Sequence, residues 1–136
     1  MADHLLAKAR LPDLILCSTA TRARQTLAPL VERLAPPAPP IALENGLYLA
    51  SESALLNRLR DLPATVATVL MIGHNDGMWQ AATALAGHGK ATLLAALRER
   101  FPTGALATLQ AGVERWADLQ PGAATLSAFA CPRDLD

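Results

Sequence analysis

The side chains best suited to chemistry stand in two short segments, each of which joins a strand-like run to a helix-like run. The first segment is LILCSTATRARQTL at residues 14–27, and it places Ser18 and Thr19 ahead of Arg22 and Arg24 where a helix begins. A cation in the first turn of a helix is unfavourable, because the turn already carries unpaired N–H groups and the positive end of the helix dipole. Two arginines at that place therefore indicate a bound anion.

The second segment is TVLMIGHND at residues 68–76, in which an apolar run ends in Gly-His-Asn-Asp and a helix opens at Met78. Strands of a parallel sheet deliver such turns to one edge, where helix N-termini form the usual ligand crevice. We therefore expect Arg22 and His74 to meet at that edge. A guanidinium, an imidazole and two helix N-termini around one point suit a phosphate group, which is the anion that the sequence predicts.

Each of these residues also has an ordinary structural role to set against the chemical one. Ser18 and Thr19 can simply cap the helix, an isolated arginine is more often a solvated surface charge, and a single histidine at a turn is more often structural. Arg22 and Arg24 are two positions apart on the helix, so we expect only one of them to point into the crevice. The phosphate hypothesis depends on the two segments acting together.

The composition narrows the classes of function. Twelve basic residues balance twelve acidic ones, and no basic stripe is dense enough to indicate nucleic-acid binding. No apolar run approaches the ~20 residues of a membrane span. The N-terminus has no signal-peptide pattern either, so we predict a cytoplasmic protein. Cys17 and Cys131 match no metal or redox spacing, and His4 and His88 have no partners at ligand spacing, so we predict neither a metal site nor a cofactor.

The elements that must position the two segments alternate between strands and helices. A length of 136 residues is near the usual size of one domain, so we predict a single domain over residues 1–136. Strands are predicted at residues 13–18, 41–43, 68–73, 105–110 and 126–130, and helices at residues 2–9, 20–34, 51–61, 78–86 and 92–100. The strand runs show little polar alternation, which is typical of parallel strands covered on both faces. The predicted class is a layered α/β fold.

The two segments resemble those of a known family. LCSTATRARQT at residues 16–26 looks like the segment of the histidine phosphatase superfamily in which a serine, an arginine four residues later and then Gln-Thr follow the second strand. VLMIGHN at residues 69–75 looks like its second-histidine segment. Small bacterial phosphohistidine phosphatases are the most similar branch. Further resemblances to that branch follow in the same order: LYLAS at 47–51, RFPTGALATL at 100–109, Trp116 and LSAFACPRDL at 126–135.

The resemblance implies a phosphoglycerate-mutase-like fold, which is a three-layer α/β sandwich with a mostly parallel sheet. It implies that Arg22 and His74 bind phosphate in the active site, with Ser18 and Asn75 beside them, and that no metal is needed. Glu44, just ahead of the LYLAS segment, is the nearest candidate for a general acid. Hydrolysis of a phosphohistidine depends little on proton donation by such an acid, because its leaving nitrogen is easily protonated.

One part of the family pattern is absent from the sequence. Family members begin with a strand ending in Arg-His-Gly, whose histidine attacks phosphorus, and no Arg-His pair occurs in these 136 residues. Residues 1–8 resemble the helix that follows that strand, so the chain starts late relative to the family. By this resemblance we expect the absent strand in the middle of the sheet, between residues 14–17 and 68–72. Its loss would leave two apolar strand edges, which could pair with a second copy of the chain.

Three functions are compatible with these observations. The leading hypothesis is a phosphatase that hydrolyses a phosphohistidine protein or a small phosphomonoester through a phosphohistidine intermediate, impaired in this chain because the nucleophile is absent. The alternative is a non-catalytic phosphoryl-binding or protein-interaction module. A doubly wound nucleotide-binding domain is disfavoured, because GHGK at residues 87–90 has Ala84 and Ala91 where a phosphate-binding loop needs Gly and Ser or Thr.

Overall fold

The computed structural model describes residues 12–33, 39–102 and 104–131, so the helix predicted at residues 2–9 lies outside the described part of the chain. Strands and helices alternate along it. In chain order they are β1 (Leu14–Ser18), α1 (Thr21–Arg33), β2 (Ile41–Glu44), α2 (Glu52–Arg60), β3 (Val69–Ile72), α3 (Gly77–Leu85), β4 (Ala86–Gly89), α4 (Ala91–Glu99), β5 (Leu106–Gln110) and β6 (Ala124–Ala130). None of the described helices is long and apolar enough to cross a membrane.

The sequence prediction of these elements is largely confirmed. All five predicted strands are present, with bounds within two residues of those predicted. The four predicted helices in the described part of the chain begin and end within one residue of the expected positions. Short apolar runs and helical periodicity are local signals, and here the tertiary contacts agree with them.

Strand β4 is the exception, because its sequence AGHG contains two glycines, which disfavour a strand. It forms through pairing in parallel with β6, where His88 lies opposite Thr125. Gly87 approaches the backbone of Gly122 so closely that a Cβ atom would overlap its carbonyl group. The N–H of Gly122 in turn donates to the carbonyl of Ala84 at 2.7 Å. The glycine is needed for this close backbone contact, so the strand depends on the tertiary structure.

The strands form two three-stranded sheets. In the first sheet, β1 lies between β2 and β3 and is parallel to both, with Ile15 opposite Ile41 and Leu14 opposite Val69. In the second sheet, β6 lies between β4 and β5, parallel to β4 and antiparallel to β5. Three of these four pairings are parallel, so the predicted α/β class with mostly parallel strands is confirmed.

The expected place of the absent strand is wrong. Strands β1 and β3 are hydrogen-bonded neighbours along their whole length, from Leu14 opposite Val69 to Cys17 opposite Ile72, and no strand can lie between them. Among the described strands, β3 pairs with β1 only and β5 with β6 only, and β2 and β4 are the other two edge strands. Leu106 of β5 packs against the same buried cluster as Ile72 of β3.

Strand β1 is the centre of the core, and its side chains are fully buried from Ile15 to Ser18. Successive side chains point to opposite faces of a sheet, so each face of β1 meets a different layer of helices. Burial of each large apolar side chain contributes about 1.5–3 kcal/mol, which holds β1 firmly in place. Ile15 and Cys17 share a cluster with Ala23, Leu27 and Leu30 of α1, whereas Leu16 shares one with Leu55 of α2 and Ala81 of α3.

Candidate active site

The turns that follow β1 and β3 lie side by side. The two strands are parallel and in register, so both deliver their C-terminal ends to the same edge of the sheet. A hydrogen bond joins the turns there, with the Ser18 Oγ atom 2.8 Å from the His74 Nε2 atom. The two turns therefore meet at one edge through Ser18 and His74, and the meeting of Arg22 with His74 stays a prediction.

Ser18 does not have the helix-capping role that the sequence suggests. Its Oγ atom accepts the N–H of Ala20 at 3.2 Å, one residue before the first residue of α1. The first helical bond runs from the N–H of Arg24 to the carbonyl of Ala20, at 3.1 Å. The hydroxyl of Thr19 donates to the Asn45 Oδ1 atom instead of capping α1. The first-turn amides of α1 are therefore not occupied by either hydroxyl.

The two arginines at the start of α1 face different surroundings. Arg24 lines an open groove of about 520 Å³ together with Leu27, Ile41 and Leu43, on the side of α1 that meets β2. Arg22 is exposed, and within the part of the chain that the structure describes its guanidinium forms no hydrogen bond or ion pair. Arg22 is therefore available to an anion at the start of α1.

Helix α1 has no acidic residue in its first turn, whereas the acidic Asp76 stands directly before the first turn of α3. Helix α3 opens at Gly77, and the side chain of its N-cap residue, Asp76, makes no capping hydrogen bond. In α3 the N–H of Met78 is already bonded to the carbonyl of His74, at 3.0 Å. The positive dipole end of α1, together with Arg22 in its first turn, is the part of this edge that favours an anion.

Tyr48 is a neighbour of His74 that the sequence did not single out. The two rings meet edge to face, with centroids 5.3 Å apart and an interplanar angle of 80°. Tyr48 is 55% exposed, whereas the preceding Leu47 is buried and anchors the turn. The bond between Thr19 and Asn45 ties the same turn to the end of β1. Twenty-six residues separate Tyr48 from His74, so no local spacing could have indicated this contact.

Asn75 lies next to His74, but its side chain is engaged elsewhere. Its Nδ2 atom donates to the backbone carbonyl of Phe101, which precedes β5. This bond links the turn after β3 to the segment that enters the second sheet. Phosphate binding through the Asn75 amide nitrogen would require that bond to be exchanged, so the predicted role of Asn75 stays a prediction.

Glu44 is paired and is poorly suited to act as a general acid. Arg58 donates to both carboxylate oxygens, from Nε at 2.7 Å and from Nη2 at 2.9 Å. These hydrogen bonds lower the pKa of Glu44 and raise the pKa of Arg58. A general acid at neutral pH needs a raised pKa, so that it still holds its proton. The structure thus argues for a structural role, in which Glu44 at the end of β2 is clamped to α2.

The edge presents mainly hydrogen-bond donors, and the described residues include no group of three or more His, Cys, Asp or Glu side chains that could hold a metal ion. One half-buried imidazole, one exposed guanidinium and the start of α1 supply hydrogen-bond donors, which match the oxygens of a phosphoryl group. Cys17 lies on β1 beside Ser18, but burial raises the pKa of its thiol, which keeps it protonated and unreactive. Among the residues gathered here, anion binding is therefore the chemistry that the arrangement favours.

Sequence relatives cover most of the chain but have no established function. No protein-family model matches the sequence. An uncharacterized protein of Mycobacterium tuberculosis is 37% identical over 130 residues, which cover 93% of this chain and 78% of that protein. An uncharacterized protein of Mycobacterium leprae is 32% identical over 121 residues, which cover 88% of this chain and 71% of that protein.

Two solved structures named "putative phosphohistidine phosphatase SixA" share the fold. The protein from Nakamurella multipartitia has a TM-score of 0.80 and 26% identity, over 96% of this chain and 77% of its own. The protein from Agrobacterium tumefaciens has a TM-score of 0.74 and 30% identity, over 96% of this chain and 75% of its own. The architecture is thus the phosphoglycerate-mutase-like one, and the chain belongs to the histidine phosphatase superfamily.

Proposed function

We propose that the chain is a phosphatase of the phosphohistidine type, which acts on a phosphohistidine in a protein or on a small phosphomonoester. The observation that carries this proposal is the hydrogen bond between Ser18 and His74, because it fixes an imidazole beside the helix start that bears Arg22. Membership of the superfamily and the names of the two solved relatives support a phosphoryl group as the anion.

In the proposed complex, a phosphoryl group with a charge of roughly −1.5 to −2 supplies the negative charge that the start of α1 lacks. Arg22 donates charge-assisted hydrogen bonds to its oxygens, and His74 donates from a ring nitrogen. These fixed donors stabilise the charge that the equatorial oxygens carry in the transition state. No covalent role is assigned to His74, because its Nε2 atom is already bonded to Ser18.

The attacking group is the part of the mechanism that these 136 residues do not supply. In the proposed reaction a histidine nitrogen bonds to phosphorus while the bond to the leaving group breaks, and the leaving atom takes up a proton. Water then cleaves the phosphohistidine and releases inorganic phosphate. We infer that the strand bearing this histidine belongs against the free edge of β3. A strand parallel to β3 would end at the same sheet edge as His74.

A non-catalytic phosphoryl-binding module remains the second candidate. It is favoured by one observation, the lack of any Arg-His pair in the sequence. The two candidates share the anion site and differ only in turnover. Binding and turnover therefore have to be measured separately.

Calorimetric titration with inorganic phosphate tests the shared site. We expect Arg22→Ala to weaken binding by about 1.5–3 kcal/mol, the contribution of a hydrogen bond to a charged group. Arg24→Ala is the matched control, since it removes the same charge two residues away on the side of the groove with Ile41 and Leu43. The control should bind phosphate within about a factor of three of wild type, because an exposed charge that makes no direct hydrogen bond to the anion is weakened by screening. Equal affinities of wild type and Arg22→Ala would contradict the proposal.

A further inference from the structure

The Ser18 hydroxyl is fully buried and touches one ring nitrogen of His74, which limits how protons can be arranged between them. A serine hydroxyl carries one proton and two lone pairs. One lone pair of Ser18 is already used, because Oγ accepts the N–H of Ala20 at 3.2 Å. The His74 Nε2 atom at 2.8 Å is the other partner of Oγ among the described residues.

Two arrangements of the neutral pair then remain. If Ser18 donates its proton to Nε2, both groups are satisfied, and the imidazole proton lies on Nδ1. If Nε2 carries the proton and donates to Ser18, the hydroxyl proton has no acceptor in the described part of the chain. Ser18 is closed to solvent, so that proton would be buried without a partner, which is the more costly outcome.

We propose that Ser18 is a positioning residue that fixes neutral His74 as the tautomer with its proton on Nδ1. The tautomer itself is argued from the geometry of Ser18 and His74, whereas its effect on phosphate binding rests on the proposed function. The Nδ1–H group becomes the donor that His74 offers to a phosphoryl oxygen. The Nε2 lone pair accepts the proton of Ser18, and Nδ1 has no free lone pair because it carries the ring proton. His74 therefore acts as a hydrogen-bond donor and not as a nucleophile. Ser18 thereby acts on the phosphate through His74, instead of touching it directly.

The tautomer of His74 can be determined by NMR without any ligand. Long-range proton–nitrogen NMR spectra of protein labelled with ¹⁵N-histidine distinguish protonated from unprotonated ring nitrogens. The measurement is made at alkaline pH, so that the neutral ring is observed. His74→Gln identifies the His74 signals among those of the three histidines. We expect the wild-type His74 ring to be protonated at Nδ1.

Ser18→Ala should release the ring to the Nε2–H form that free histidine favours in water, and Ser18→Thr, which keeps the hydroxyl, should restore the Nδ1–H form. Thr19→Val is the matched control, because its hydroxyl bonds to Asn45 and not to His74. It should leave the His74 spectrum unchanged. If Ser18→Ala lowers the Nδ1–H population to roughly one fifth, the apparent phosphate affinity should fall about fivefold.

A wild-type His74 protonated at Nε2 would overturn the proposal, and this outcome needs no variant to fold. A folded Ser18→Ala protein that keeps the Nδ1–H form would overturn it as well. The Nδ1–H form in wild type, lost in Ser18→Ala, supports it whether or not phosphate binds. Failure to bind phosphate would then count against the proposed function alone.

Discussion

The ion pair between Glu44 and Arg58 gives a quantitative test of how the site is supported. Glu44 ends β2, Arg58 lies in α2, and two hydrogen bonds of 2.7 and 2.9 Å join them. Glu44→Gln keeps the shape of the side chain, removes its charge and sets an amide nitrogen against the guanidinium. Because the structure gives Glu44 a structural role, we expect lower stability with phosphate binding unchanged.

The magnitude follows from the geometry and the exposure of the pair. A hydrogen bond to a charged group contributes about 1.5–3 kcal/mol when it is shielded, whereas an exposed ion pair contributes about 0–1 kcal/mol. The side chains of Arg58 and Glu44 are 29% and 28% exposed, so the pair lies between these limits. We expect Glu44→Gln to lower the free energy of unfolding by about 1–2 kcal/mol at pH 7.

The effect should depend on pH with a definite sign. Hydrogen bonds from Arg58 lower the pKa of Glu44 in the folded protein below its ordinary value of 4.5. A carboxylate with a lowered pKa adds stability above its unfolded-state pKa, and this stability is lost as the pH falls through the folded-state pKa. The difference between wild type and Glu44→Gln should therefore be complete at pH 7 and shrink once the pH falls below 4.5.

Urea unfolding followed by circular dichroism measures these differences. A double-mutant cycle with Arg58→Met isolates the coupling between the two side chains. Asp118→Asn is the control, because Asp118 forms a similar two-bond pair with Arg115, at 3.0 and 3.1 Å, on an exposed surface. It should cause no measurable loss of stability. Unchanged stability in Glu44→Gln, together with lost turnover in an active longer chain, would refute this reasoning and make Glu44 an acid.

Two further outcomes follow from the structure. The 136-residue chain should hydrolyse a phosphohistidine peptide near the background rate, whereas a folded chain extended by a strand ending in Arg-His-Gly should exceed it by at least ~10³-fold, and an Arg-Ala-Gly extension should not. Robust turnover by the short chain that is abolished in His74→Ala would instead make His74 the nucleophile. Gly77→Ala should lower the free energy of unfolding by about 1–3 kcal/mol, because a Cβ atom there would overlap the carbonyl of Ala50. Gly46→Ala, with open space around its Cβ position, should remain close to wild type, and a Gly77→Ala protein as stable as this control would contradict the packing argument.

The sequence by itself determined five of the six described strands, the four described helices and the edge at which the site forms. Apolar runs without polar alternation located β1 and β3, because strands covered on both faces need apolar side chains at every position. The parallel pairing of β1 and β3 then brought the turns at Ser18 and His74 together, as expected for parallel strands that end at one edge of a sheet. The placement of Arg24 along a groove beside β2 also agrees with the expectation that the two arginines face different surroundings.

Only the tertiary structure decided which partner each polar side chain has. Arg58 is fourteen residues from Glu44, and Phe101 is twenty-six from Asn75, so neither hydrogen bond follows from local spacing. The glycine-rich β4 forms because β6 and the backbone of Gly122 accommodate it, against its own propensity. The pairing of β1 with β3 also rules out the place that the sequence suggested for the absent strand, between these two strands. Local periodicity indicates which face of an element is buried. The hydrogen-bonding and strand-pairing partners of a residue are instead distant in sequence and are brought together by packing. A single sequence carries no local signal of these partners.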